Sequence, residues 1–316
     1  MPLLTRRRFL RTLGLGALSS AALGSYAFAV EPLWRMTVTR YAITPPGWTP
    51  GLHLRVALVA DVHACNPWMG ADRIADVVAR TNALRPDVTL LLGDFSAAMS
   101  RFVTSHVHSS EWAPILAGLD APLGRYAILG NHDWWEDRAA QRRGHGPTFG
   151  QEALDRAGVP VLENRAVRLA KEGRPFWLAG LGDQIALLPR REYGRTALRG
   201  VDDLPATLRA VTDDAPVILM AHEPDVFPTV TAAERPVALT VSGHTHGGQI
   251  RLFGHSPVVP SRFGNRYAYG HVIEPRPDGA ETHLVVSGGL GCSIAPVRFG
   301  VPPEIVLLDL GGDADG

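Results

Sequence analysis

Five short apolar runs, each of strand length and each ending in a cluster of Asp, Asn or His, constrain this 316-residue chain more than any other feature. Residues 52–60 run into Asp61-Val62-His63, and residues 87–92 into Gly93-Asp94. Residues 126–129 run into Gly130-Asn131-His132-Asp133, residues 217–221 into His222-Glu223-Pro224, and residues 238–242 into Gly243-His244-Thr245-His246. Helical patterns lie between several of the runs. In residues 71–84, Ile74, Val77, Val78 and Leu84 form a stripe of helical period. Ser110 can cap a helix over 111–119, and residues 148–157 stop at Gly158. Residues 204–211 read as a further helix, and the tail alternates in strand fashion over 249–253, 282–286 and 305–310. A β-α-β-α-β order followed by a strand-rich half predicts an α/β fold on central sheets. Ligands of such sheets gather at the carboxyl ends of strands, where all five clusters fall. Residues 138–146, rich in Arg and Gly, read as an exposed loop, and nothing splits residues 30–316 into more than one domain.

The balance of 31 Lys+Arg against 31 Asp+Glu, with 46% hydrophobic residues, excludes a disordered chain. It also gives no electrostatic basis for nucleic acid as a partner. The charge is unevenly placed, however. Arg6, Arg7, Arg8 and Arg11 precede an uncharged run over 12–30 that contains Ala27-Phe28-Ala29. A basic start, an apolar middle and an A-x-A ending read as a secretory signal over residues 1–29. Arg6-Arg7-Arg8-Phe9-Leu10 resembles the twin-arginine signal, so the expected route is the twin-arginine export machinery, to the periplasm or cell envelope. Retention of the segment as a membrane anchor is the alternative. The run is short and diluted by Gly and Ser beside the ~20 strongly apolar residues that a bilayer asks for. An oxidising compartment permits a Cys65–Cys292 bond, but two free thiols are the expectation.

The clusters together offer two Asp, one Asn and four His, with a further His beside the Asn. Carboxylate and imidazole ligands without thiolate suit Mn, Fe, Co or Zn. Asp61 and His63 stand two apart at a strand end and can reach one ion, and His244 and His246 share that spacing. Two-metal hydrolysis needs one group between ions ~3.5–4 Å apart, and Asp94 on its tight Gly-Asp turn is the natural bridge.

This set of five blocks, in this order, resembles the calcineurin-like metallophosphoesterase superfamily. The run Gly243-His244-Thr245-His246-Gly247-Gly248-Gln249 is similar to one branch, the bacterial YaeI/YkuE-like phosphodiesterases, often exported by the twin-arginine route. So are Ser287-Gly288-Gly289-Leu290-Gly291 and Pro296-Val297-Arg298-Phe299-Gly300-Val301-Pro302-Pro303-Glu304. The resemblance implies a four-layer αββα sandwich with two mixed β-sheets. It implies one metal on Asp61, His63, Asp94 and His246, and a second on Asp94, Asn131, His222 and His244. It further implies a metal-bridging hydroxide as nucleophile and His132 as the group that protonates or stabilises the leaving oxygen. Asp133 is then expected to orient His132.

Trp134 and Trp135 follow the third cluster, and either wall the substrate site or pack the loops. Arg298 either clamps a phosphate or forms a structural ion pair. His106, His108 and His145 are expected on exposed loops. The expected function is a dinuclear phosphoesterase of the cell envelope, a phosphodiesterase or pyrophosphate hydrolase more than a monoesterase. Its substrate would be a small phosphodiester or a lipid-linked phosphate, and the chain is expected to act as a monomer, with peripheral or anchored membrane association if the signal is kept. The rival readings are a phosphomonoesterase or protein phosphatase, and a binding module on the same fold.

Overall fold

The computed structural model describes residues 5–99 and 101–312. Its strands are β1 (Thr37–Ile43), β2 (Leu54–Val59), β3 (Cys65–Asn66), β4 (Val88–Leu91), β5 (Ser105–His106), β6 (Arg125–Ala127) and β7 (Arg165–Lys171). There follow β8 (Arg174–Gly180), β9 (Val217–Met220), β10 (Leu239–Ser242), β11 (Gly270–Pro275), β12 (Glu281–Val286) and β13 (Glu304–Leu310). One sheet has the order β1-β13-β2-β4-β6, and a second has β11-β12-β10-β9-β8-β7. Both are mixed. In the first, β2, β4 and β6 run parallel, while β13 is antiparallel to β2. In the second, β8, β9, β10 and β12 run parallel, flanked by antiparallel β7 and β11.

The apolar runs are continuous because these strands are covered on both faces. Leu58 and Leu90 meet Ile218, Met220 and Val241 between the sheets. Ile74, Trp112 and Leu154, from helices Ala71–Ala83, Ser109–Leu116 and Phe149–Arg156, cover the outer face of the first sheet with Val59 and Leu91. Leu208, Phe227 and Val230, from Leu204–Arg209 and Phe227–Thr231, cover the second with Leu219 and Val286. The layers are helix, sheet, sheet, helix. Both sets of parallel strands present their carboxyl ends to one edge, which fixes where the polar clusters converge.

Two local expectations differ from the structure, and one hairpin had no counterpart in the sequence reading. Residues 138–146 are not all loop, because Arg138–Arg143 is a helix. The Asp137 carboxylate caps it through Ala139 N and Ala140 N, Gly144 closes it in a left-handed conformation, and the buried Gln141 ties it to Trp134 O and Ala186 O. Residues 249–253 do not join a sheet. They follow a tight turn and contribute isolated bridges, Ile250 to Phe299 and Leu252 to His255. The β7–β8 hairpin was not read from the sequence, because the exposed Arg165 and Arg168 and the half-buried Lys171 mask its alternation. Cys65 and Cys292 are buried free thiols in one small cluster with Ala97 and Met99, and burial pushes the Cys65 thiol up to about 11.

Candidate metal centre

Each strand ends in a loop whose backbone is bent to aim its side chains inward. Asp61, His63, Asp94, His244 and His246 all have left-handed φ, between 45° and 68°. Each such non-glycine residue costs ~1–3 kcal/mol, which the surrounding packing sustains. Five of the eleven described non-glycine residues with such φ fall in these loops, which points to a site. The loops also crowd one another. A Cβ on Gly130 would fall on the Asp94 carboxylate and within 2.6 Å of the His222 ring, so only glycine fits between them.

Asp61, His63 and His246 form one cluster, and Asp94, His222 and His244 a second, with the donor atoms of each within 4.8 Å of one another. In the first, His63 Nδ1–H donates to Ser96 O at 2.8 Å and leaves Nε2 free. That Nε2 faces His246 Nε2 at 3.0 Å, and His246 Nε2 lies 3.8 Å from Asp61 Oδ1. In the second, His222 Nδ1–H donates to Leu92 O at 2.6 Å, and His222 Nε2 stands 3.2 Å from Asp94 Oδ2. His244 Nδ1 is 2.9 Å from Asn131 Oδ1, while its Nε2–H donates to Pro260 O at 3.0 Å. Asp94 Oδ2 is also 3.6 Å from His63 Nε2, so one carboxylate oxygen stands between the two clusters.

The electrostatics are those of an unneutralised ligand set. Burial pushes Asp61 up to about 7, and burial lowers His63 to about 4. Burial would raise Asp94, but the neighbouring His222 and His132 hold it well below the usual carboxylate range. Burial would lower His222, yet the Asp94 charge holds it well above its ordinary value. Burial also keeps His246 neutral, aided by His63 and Arg298. Asp61 Oδ2 and His222 Nε2 are buried without a well-aligned hydrogen bond. The second nitrogens of His63, His222 and His244, each held by a backbone carbonyl, and the orphaned Asp61 Oδ2 fit divalent cations.

The surrounding residues refine the sequence-based expectations. His132 is half-buried, with its ring 5.2 Å from that of His63 and 5.1 Å from that of Trp135, and its backbone N–H donates to Asp94 Oδ1 at 2.8 Å. Asp133 does not orient His132. Its carboxylate accepts from Asp94 N, Phe95 N, Ser96 N and Gly130 N at 2.9–3.0 Å, so it holds the backbone of the loop that carries Asp94. Trp134 is not a substrate wall, being fully buried in the core beneath the helices. Trp135 is half-buried beside His132, with its indole N–H on Ile185 O. His106, His108 and His145 are exposed as expected, although His106 lies in the short strand β5 and not in a loop.

Arg298 is not placed to clamp a phosphate. It is fully buried, with its guanidinium donating to Gly288 O, Gly291 O and Val301 O, and its Nη2 lies 3.2 Å from His246 Nδ1. It therefore sets the His246 ring against the late loop. Arg298→Met is expected to lower metal affinity ~10–100-fold, read as the metal concentration for half-maximal turnover, with KM unchanged. A raised KM at unchanged metal affinity would instead put the guanidinium on substrate.

Sequence reasoning missed Asp183 and Glu223, which form a third buried group with His222. Burial and the Glu223 charge hold Asp183 well above the usual carboxylate range. A signal existed, since β8 runs into Gly182-Asp183, another apolar run ending in Gly-Asp.

A sandwich of two mixed sheets with buried His/Asp clusters at its strand ends is a frame that could hold metal ions. Residues 54–248 match the calcineurin-like phosphoesterase family model, and the chain belongs to that family. It is 28% identical to an uncharacterized metallophosphoesterase of Bacillus subtilis, YkuE, over 98% of this chain and 99% of that one. It is likewise 28% identical to the phosphodiesterase YaeI of Escherichia coli, over 98% of this chain and all of that one. Among solved structures, the NAD nucleotidase of Haemophilus influenzae aligns with a TM-score of 0.47 and 15% identity, over 79% of this chain and 50% of that one. The chain thus spans about half the length of that structure.

Proposed function

We propose that the chain is a dinuclear phosphodiesterase of the cell envelope, reached by the twin-arginine route. The observation that carries it is the position of Asp94 Oδ2, 3.2 Å from His222 Nε2 in one cluster and 3.6 Å from His63 Nε2 in the other. Asp61, His63, Asp94 and His246 would hold one Mn, Fe, Zn or Co ion, and Asp94, Asn131, His222 and His244 the other. Two such ions supply Lewis acidity and a water of lowered pKa. Around them the chain positions and protonates. Asp133 fixes the loop of Asp94 through four amides, and Arg298 fixes His246. His132, half-buried at the edge of the first cluster, gives a proton to the leaving oxygen.

The diester preference is supported by the likeness to the phosphodiesterase YaeI and by Trp135, a half-buried aromatic whose ring centroid lies 5.1 Å from that of His132. Comparison of bis-p-nitrophenyl phosphate with p-nitrophenyl phosphate tests it. The diester is expected to be the better substrate by kcat/KM, and a higher kcat/KM for the monoester would favour the phosphatase reading. Trp135→Ala is expected to raise KM for the aromatic diester ~2–10-fold, an aromatic contact being worth ~0.5–1.5 kcal/mol. An equal loss on every substrate, in step with a lower Tm, would make Trp135 only a packing residue.

A further inference from the structure

The N-terminal segment has two parts with different surroundings. Helix Arg6–Ser25 stands clear of the protein body, with Leu13, Leu15, Leu18 and Leu23 all more than half exposed. A stretch from Leu10 to Trp34 is apolar enough to cross a membrane, with a mean hydropathy of 1.5. Its last turns, Tyr26–Val30 and Glu31–Trp34, are docked. Ala27 is buried and its carbonyl accepts from Arg298 N at 2.9 Å, the Tyr26 ring meets Phe299 edge-on at 5.9 Å, and the buried Glu31 carboxylate accepts from Val301 N at 2.9 Å. The partners belong to the late loop whose Arg298 sets His246. A cut after Ala29 would remove Tyr26 and Ala27 from that packing.

Length then constrains where the body sits. The uncharged, undocked helix, residues 12–25, is only ~21 Å long at 1.5 Å per residue, against a hydrocarbon core of ~30 Å. A helix this short can span only if the docked turns reach the lipid interface and bring the neighbouring loops with them. Those loops present apolar tips. Phe253 is fully exposed, Ile294 is 81% exposed and Val258 is 74% exposed. All three are tied to the docked segment or to the site. Phe299 exchanges backbone hydrogen bonds with Gln249 and Arg251, the Gln249 amide donates to Ser293 O and Ala295 O on either side of Ile294, and Pro260 O accepts from His244 two residues after Val258. Phe253 and Ile294 also hold left-handed φ of 50° and 65°. That is a costly way to display a bulky or β-branched side chain to water.

We infer that the chain keeps its N-terminal helix as a membrane anchor and that the rim of Phe253, Val258 and Ile294 enters the lipid interface. The metal centre then takes its phosphodiester from a lipid surface. The Arg residues at the start of the helix stay on the cytoplasmic side. This rests on the phosphodiesterase reading for its substrate, but the placement stands on the helix and the rim alone.

The test uses the full chain expressed in bacteria. Membranes are washed with carbonate, the intact mass of the extracted protein is measured, and two substrates are compared. One is bis-p-nitrophenyl phosphate in solution, and the other an acyl-chain-bearing p-nitrophenyl phosphodiester in phosphatidylcholine vesicles. The expected results are a carbonate-resistant protein that retains the residues before Val30, and a preference for the vesicle substrate. The double variant Phe253→Ser, Ile294→Ser, both fully outside the core, is expected to lose on the order of tenfold on vesicles while changing by less than about twofold in solution. A mature protein beginning at Val30 in the soluble fraction would overturn the proposal, as would equal effects of the double variant on both substrates. If the wild type hydrolyses neither substrate, the phosphodiesterase reading has failed. Mass, carbonate resistance and vesicle flotation of the double variant then still decide the membrane placement.

Discussion

Asp94→Asn is expected to leave a folded protein whose hydrolysis of bis-p-nitrophenyl phosphate falls on the order of 10³-fold or more. The fold should survive, because the amide oxygen of Asn can still accept the His132 N–H that Asp94 Oδ1 accepts at 2.8 Å. The charge between the clusters does not survive. Asp94 Oδ2 faces His222 Nε2 and His63 Nε2, and an amide NH₂ there would donate to those nitrogens in place of a cation. Several kcal/mol of Lewis-acid stabilisation then disappear, and each ~1.4 kcal/mol is a factor of ten in rate. Kinetics with Mn²⁺ in excess, beside a thermal melt, checks it. Turnover within about tenfold of wild type would remove Asp94 from the bridging position.

Chelation is expected to produce the second large effect, a fall in Tm that deepens as pH rises. A tightly bound ion stabilises by mass action, ~4 kcal/mol at a thousand times its Kd. The pH trend follows from the protons an ion must displace in the metal-free chain: Asp61 and His222 hold theirs into this range, whereas His63, lowered to about 4, and His246 are already unprotonated and set up no such competition. Asp61 is pushed up to about 7 in the folded chain, above the 3.8 of an ordinary Asp, so its contribution is present in acid and is lost as pH rises from about 4 to about 7. His222 is held well above the 6.5 of an ordinary His, so its contribution is complete below that value and is lost as pH rises through the higher folded value. Asp94 has the opposite sign. It is held low, and its contribution is already complete above the ordinary carboxylate value. Thermal melts with and without chelator between pH 5 and pH 8 should therefore show the gap widening with pH. A gap that is constant or narrows would contradict the ligand assignment.

The ligand candidates were legible in the sequence because their chemistry requires particular side chains, and α/β topology places strand ends together. Asp61, His63, Asp94, Asn131, His222, His244 and His246 could be singled out one block at a time, and the structure brings them to one edge. The order of apolar runs carried the fold in the same way. The residues misread are those whose partners are backbone atoms remote in sequence. Asp133 beside His132 looks like a proton-relay partner, but its acceptors face four amides, three of them 37–39 residues away. Arg298 looks like a phosphate ligand, but three carbonyls and His246 surround it. Trp134 and Trp135 are adjacent in one short helical turn and so point about 100° apart, which sends Trp134 into the core and leaves Trp135 beside His132. Helix Arg138–Arg143 was hidden by its charges, since its cap and its buried Ala140 and Gln141 carry the signal.

The most direct test of the central claim is a titration of the metal-stripped chain with Mn²⁺, with bound metal and turnover of bis-p-nitrophenyl phosphate followed together. Turnover is expected to appear only as the second ion binds. Full turnover with one ion or none, or a folded chain with two bound ions and no turnover with any of Mn, Fe, Zn or Co, would contradict it.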